Sequence, residues 1–220
     1  MTPRGTITFT FDDGYEAVYQ NALPLLERYN FKGVFAIPLN YQKVEQTEGA
    51  KVRPWPDWLP IRERGHEIAA HSVNHVNFTK LSPPELNQEL QEPKNKLGAA
   101  TLVYPGGAFN DAVIEAAEKY YSAARTVVRG LEGIPTANGM QLKSFNWTRN
   151  NFSPAKANLL ALWAYCTNSW LIETFHMIDD HDTKLVHSVK TTDLDKHLKF
   201  VSKLPVYVRT IQEVISSHNH

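Results

Sequence analysis

TITFTFDDGYEAV, residues 6–18, alternates Thr6, Thr8 and Thr10 with Ile7, Phe9 and Phe11, then runs straight into Asp12, Asp13 and Gly14. The alternation has the two-residue period of a β-strand, and Ala17, Leu23, Leu25 and Leu26 follow at helical spacing. Two adjacent carboxylates therefore stand where a strand hands over to a helix, the end of an α/β sheet at which ligands bind. Asp-Asp-Gly is also ordinary turn chemistry, because aspartate caps helices and glycine adopts angles that other residues avoid. The rest of the chain separates these two readings.

Outward from this run, strands and helices alternate. GVFAIP (33–38), HEIAAHS (66–72), TLVYPGG (101–107), SAARTV (122–127), WLIETFH (170–176) and PVYVRT (205–210) read as short strands. Ser82, Pro83 and Glu85 form a capping box that opens a helix toward Leu97, Asn110 or Asp111 opens a second, and helical spacing recurs at 154–165, 192–202 and 210–217. About seven β/α units with no GxGxxG turn predict an α/β fold, a barrel-like parallel sheet in place of a dinucleotide fold. The stretch 40–58 reads as one long surface loop, with Trp55 and Trp58 pinning it by packing or stacking on a ligand. At 220 residues and 42% hydrophobic, the chain suffices for one sizeable core, so a single domain over 1–220 is expected.

Lys and Arg (23) balance Asp and Glu (23), which leaves no basic field for a phosphate backbone and argues against a nucleic-acid partner. No apolar run approaches the ~18 residues of a membrane span. MTPRGTITF has neither the charged start nor the apolar stretch of a signal peptide, so no targeting signal is expected within these residues. Cys166 has no partner for an internal disulfide and reads as a packed thiol.

The second chemical signal is HEIAAHSVNH (66–75). His66, Glu67 and His71 imitate a helical zinc motif, but five residues separate the histidines, which on a helix sets them about 140° apart. His71 and His75 are four apart, about 40° around a helix turn, so both imidazoles can face one ion. With Asp13 they make a two-histidine, one-carboxylate set that suits zinc, cobalt or another divalent transition ion. Asp12, beside it, is then placed to take a proton from a metal-activated water.

TFDDG (10–14), HSVNH (71–75), YPGGAFN (104–110) and a strand ending in His176 resemble, in order and spacing, the polysaccharide deacetylases of carbohydrate esterase family 4. The resemblance implies a distorted barrel, one divalent metal and hydrolytic removal of acetyl groups from sugars. By that likeness Asp13, His71 and His75 hold the metal, Asp12 is the general base and His176 the general acid. Gly106 contributes a backbone N–H to the oxyanion, while Tyr104 of the same motif and Trp147 in SFNWTRNN contact substrate. Two departures stand out. Val103 occupies the position where the family often carries an arginine that pairs with the base, leaving Arg125, Lys143 and Arg149 as candidates for that task. Gly106 replaces an aromatic and opens the pocket wall. DDHD (179–182) reads as solvated, and His66, His187, His197, His218 and His220 have no usable partner spacing.

The implied substrate is an uncharged acetylated glycan, of N-acetylglucosamine type before an acetylated xylan, since the chain is neutral. Two rivals remain: a same-fold hydrolase of a cyclic imide or amide, and a non-catalytic carbohydrate-binding relative. The latter has no chemical need for an acid, a base and a metal together. A serine hydrolase is disfavoured because no GxSxG occurs.

Overall fold

The computed structural model describes residues 4–180 and 185–217. Seven parallel strands, β1 (Thr6–Phe11), β2 (Gly33–Ile37), β3 (Glu67–Ala70), β4 (Thr101–Val103), β5 (Ala123–Arg125), β6 (Phe145–Asn146) and β7 (Trp170–Phe175), curl into a half-barrel in the order β5-β4-β3-β2-β1-β7-β6. Two short strands, β8 (Met177–Ile178) and β9 (Ser188–Val189), pair with each other just beyond β7, and β10 (Tyr207–Val208) pairs with the start of β1. The helices are α1 (Leu23–Arg28), α2 (Tyr41–Glu48), α3 (Pro83–Leu97), α4 (Asp111–Glu118), α5 (Pro154–Thr167), α6 (Thr191–Val201) and α7 (Ile211–Ser216). This is the expected distorted (β/α) barrel. Between its edges, Arg125 bridges Leu142 in parallel, and Phe145, a little further on, is in register with Glu173 of β7, so one short segment runs from edge to edge.

β1 is buried along its whole length, as a central parallel strand must be. Ile7, Phe9 and Phe11 share a core with Leu23, Leu25 and Leu26 around α1 and with Leu194 and Leu198 of α6. The threonines turn to the other face, where Trp170 Nε1 donates to Thr8 Oγ1 at 2.8 Å and Thr10 Oγ1 donates to the Glu173 carbonyl at 3.1 Å. The buried hydroxyls of Thr8 and Thr10 thus have partners, which is why these threonines are tolerated inside a sheet. The Ser82–Glu85 capping box opens α3 as the sequence predicts.

Two expectations are corrected, the single loop and the packed thiol, and one of two readings of Trp58 is selected. Residues 40–58 are not one loop: α2 is capped by the Asn40 side chain and ends at Gly49 in the left-handed conformation, and a 3₁₀ helix covers Trp55–Arg64. The helix escapes a hydrophobic-period reading because Val44 is its one buried residue. Trp58 is fully buried, with its ring 5.2 Å from those of Tyr19 and Phe35, so packing is its role. Cys166 is exposed on α5, not packed. His218, His220 and the second half of DDHD lie outside the described residues.

Trp58→Ala should cost about 3–5 kcal/mol, the range for emptying a buried aromatic site, and half-exposed Trp55→Ala should cost far less. Denaturant midpoints of the two variants check this. Equal losses would refute the packing assignment.

Candidate active site

Asp12 inherits the inward face of Thr6, Thr8 and Thr10, because strand side chains alternate with period two. On β5, Ala123 lies in the inner core, and Arg125, two residues on, shares its face. The two meet: Arg125 Nη2 pairs with Asp12 Oδ2, both side chains buried. Arg125 is in register with Val103 on the neighbouring strand. The arginine missing at Val103 is thus matched by one at the same level, a strand away. Of the other two candidates, Lys143 is exposed and its backbone N–H binds Glu132, while the backbone N–H of exposed Arg149 binds the Val186 carbonyl. Asp12 Oδ1 is buried and has no hydrogen-bond partner among the described residues. His176, the first residue past β7, brings Nε2 to 3.8 Å from Asp12 Oδ2.

Asp13 takes a different direction because its backbone enters the left-handed region, φ 70°, followed by Gly14 at 68°. Its Oδ1 lies 3.3 Å from His71 Nε2 and 3.1 Å from His75 Nε2. The histidines converge for a reason other than helical spacing. β3 ends at Ala70, and His71–His75 is a turn in which Ser72 (φ 66°) and His75 (φ 51°) are left-handed. His75 N donates to Ser72 Oγ at 2.7 Å. The Glu89 carboxylate of α3, itself buried, accepts from Val73 N at 2.8 Å, Asn74 N at 2.9 Å and Asn74 Nδ2 at 2.6 Å. His71 Nδ1 sits 2.8 Å from the Val103 carbonyl, which fixes the proton there and leaves the Nε2 lone pair facing Asp13.

One ligand atom from each of Asp13, His71 and His75 lies within 4.8 Å of the others. Asp13 Oδ1 is buried between the two imidazoles. A buried acceptor facing two imidazole nitrogens is the donor set of a divalent transition cation, so the residues fit the group. Burial pushes the Asp13 carboxyl up, but the adjacent His71, His75 and His176 outweigh it and hold the group well below the usual carboxylate value. Burial lowers His75, yet its bond to Asp13 and that carboxylate's charge leave it raised. Burial drives His176 below the ordinary histidine value despite Asp12 and Asp13.

These groups line a pocket of about 320 Å³. Asp12, Asp13, His71, His75, Tyr104, Gly106, Arg125 and His176 are all in its wall. Tyr104 commits its hydroxyl to the Met140 carbonyl at 3.1 Å, so it contributes ring, not donor. Gly106 has φ 61°, and a Cβ there would meet nothing within 4 Å, so the wall is open at that point. Trp147 is not in this pocket: it is buried, donates Nε1 to Glu173 Oε1 at 2.8 Å and lines the adjacent cleft. His66 accepts from Gly33 N through Nδ1 and takes no part. Tyr15, Glu48 and His187 also line the pocket, with the His187 ring 4.8 Å from that of His176. No spacing signal marks these three, since each arrives from a separate loop or helix end. His197 is buried too, with Nε2 2.8 Å from Glu173 Oε2.

Glu89→Ala removes the acceptor for two backbone N–H groups in the histidine turn. It should weaken zinc binding by about 10–100-fold, the usual cost of losing an outer-shell support, while circular dichroism shows the barrel intact. Undiminished affinity would mean the turn holds without it.

The family model described as polysaccharide deacetylase matches residues 1–123, more than half of the 220-residue chain. The peptidoglycan-N-acetylglucosamine deacetylase of Bacillus cereus is 29% identical over 120 residues, 51% of this chain and 52% of that one. The chain spans about half the length, or less, of the curated relatives it matches. Among solved structures, the Xyl-CE4 domain of a multidomain xylanase from the hindgut metagenome of Trinervitermes trinervoides superposes with a TM-score of 0.64 at 18% identity, over 97% of this chain and 91% of that one. BA3943 of Bacillus anthracis, a CE4 family pseudoenzyme, superposes with a TM-score of 0.63 at 14% identity, over 98% and 66%. At such identities the structural likeness is one of fold alone, whereas the family match rests on sequence. The chain belongs to the polysaccharide deacetylase family.

Proposed function

We propose that these 220 residues act as one metal-dependent deacetylase unit on an acetylated glycan of N-acetylglucosamine type. In this reading Asp13, His71 and His75 hold the ion, Asp12 is the general base and His176 the general acid. One observation carries it: two adjacent carboxylates have different partners, Asp12 an arginine and Asp13 two imidazoles. Zinc, before cobalt, would supply Lewis acidity when bound, polarising the acetyl carbonyl and lowering the pKa of the attacking water.

Arg125 holds Asp12 through Oδ2, which leaves Oδ1, without a partner among the described residues, to accept the proton of that water. The Gly106 N–H stabilises the tetrahedral oxyanion at the open wall. His176 Nε2 donates a proton to the departing nitrogen, and its nearness to Asp12 suits a site where the base's proton can later be returned. A pure binding module would have no use for this pairing of groups. Imide hydrolysis would use the same metal set and is distinguished by assay.

Acetate should be released from N-acetylglucosamine oligomers, with no opening of a cyclic imide, and chelation should abolish it until zinc or cobalt is restored. Imide turnover without acetate would overturn the substrate class. Asp12→Asn should lower the rate by roughly 10² to 10⁴ with metal content unchanged. Loss of metal in that variant would make Asp12 a ligand.

The pH dependence has a definite sign. A general acid must carry its proton, and burial lowers His176, so kcat/KM should fall on the basic side from a pH below the ordinary histidine range. His176→Ala should flatten that limb. An unchanged limb would assign it to another group.

A further inference from the structure

α5 inverts the usual arrangement of a surface helix. Its smallest apolar residues face inward: Ala157, Ala161 and Ala164 are buried in the core. Its largest face outward: Leu159 is 66% exposed and Trp163 54%, with Leu162 and Cys166 exposed beside them. Positions 159, 162, 163 and 166 recur at helical spacing, so they form one stripe. A helix that is apolar on both faces ordinarily has cover on both. Val127 and Val128, just after β5, are exposed as well, and Val127 lines the same cleft as Leu159. Among the described residues, five of the seven exposed large apolar side chains belong to these two segments, so the exposure is concentrated, not scattered.

Charge follows the same outline. Residues 133–172, which include all of α5, carry Lys143, Arg149 and Lys156 and no Asp or Glu. At the N-terminal end of the stripe, exposed Arg129 and Lys156 line the cleft with Leu159. Arg129 lies 5.1 Å over the Phe145 ring, and Lys156 Nζ donates to the Asn151 carbonyl at 3.5 Å. At the C-terminal end, exposed Arg4 donates Nη2 to the Cys166 carbonyl at 3.0 Å and lies over the Tyr165 ring. None of these three cations pairs with a carboxylate among the described residues, whereas Arg28, Lys32 and Arg64 elsewhere on the surface each do.

We infer that this face docks on the surface of an anionic lipid bilayer. Leu159, Leu162 and Trp163 enter the boundary between headgroups and acyl chains, and Arg4, Arg129 and Lys156 meet the lipid phosphates. A tryptophan sits well at that level, because its ring is apolar and its N–H is polar. The 14 residues of α5 make it about 21 Å long. No helix of the described residues is long and apolar enough to cross a membrane, so the contact is peripheral. A second copy fits this face less well, since pairing two α5 helices sets Lys156 against a helix with no acid to meet it. A soluble polyanion meets the cations but leaves the apolar stripe in water. The inference is independent of the chemistry assigned to the metal pocket.

Co-sedimentation with vesicles tests it, using phosphatidylcholine alone and phosphatidylcholine mixed with phosphatidylglycerol. At low salt the protein should partition at least about tenfold more strongly onto the anionic vesicles, each cation contributing roughly fivefold, and added salt should shrink that advantage. Leu159→Ser combined with Trp163→Ser should remove most of the binding. Arg129→Glu combined with Lys156→Glu should do the same. All four side chains are exposed, so circular dichroism and zinc affinity should stay unchanged in both variants. A nitroxide attached to Cys166, the one cysteine of the chain, should become shielded from a water-soluble relaxation agent when anionic vesicles are added. No binding, equal partitioning onto both vesicle types, or binding that survives both double substitutions overturns the inference. So does a nitroxide that stays accessible on vesicle-bound protein, because the contact then lies elsewhere. Self-association of the lipid-free protein that Leu159→Ser with Trp163→Ser abolishes, without vesicle binding, gives the face to a second copy and overturns the lipid assignment.

Discussion

The buried ion pair between Asp12 and Arg125 constrains everything above the sheet. Four strand steps separate their elements along the order β5-β4-β3-β2-β1, which in a flat sheet would set them about 19 Å apart at strand spacing. They touch because the sheet curls, so the pair requires the curl. It also fixes what each carboxylate can do. Breaking a buried pair by removing one partner typically costs about 3–5 kcal/mol, and the remaining charge would be stranded at the mouth of the barrel. With Asp12 held this way, its neighbour is free to turn toward the histidines.

That turn is conformationally expensive. Asp13, Ser72 and His75 are all left-handed without being glycine, and such conformations persist only where surrounding bonds enforce them. Glu89 supplies those bonds to the histidine turn from α3, and the Val103 carbonyl sets the His71 tautomer. Strain and support therefore coincide at one rim, as they do in a preorganised site.

The alternation of strands and helices, the capping box on α3 and the grouping of Asp12 and Asp13 at a strand end were legible because each rests on a local pattern. His71 and His75 were legible as a pair, but through the wrong geometry: four-residue spacing suggested a helix, and a strained turn achieves the same convergence. Arg125 remained one of three candidates, since register between β4 and β5 is a tertiary fact. Glu89, Tyr15, Glu48 and His187 were silent because each comes from a different element and only curvature assembles them. α2 was hidden by its polarity, and Trp147, expected against substrate, is instead buried against Glu173 outside the metal pocket.

The division of labour between two adjacent aspartates is the central claim, and a crystal structure of the zinc-loaded protein tests it most directly. The account predicts an ion about 2.0–2.2 Å from an Asp13 oxygen and from His71 and His75 nitrogens, with Asp12 still paired to Arg125. An ion ligated by Asp12, with Arg125 released, would contradict it.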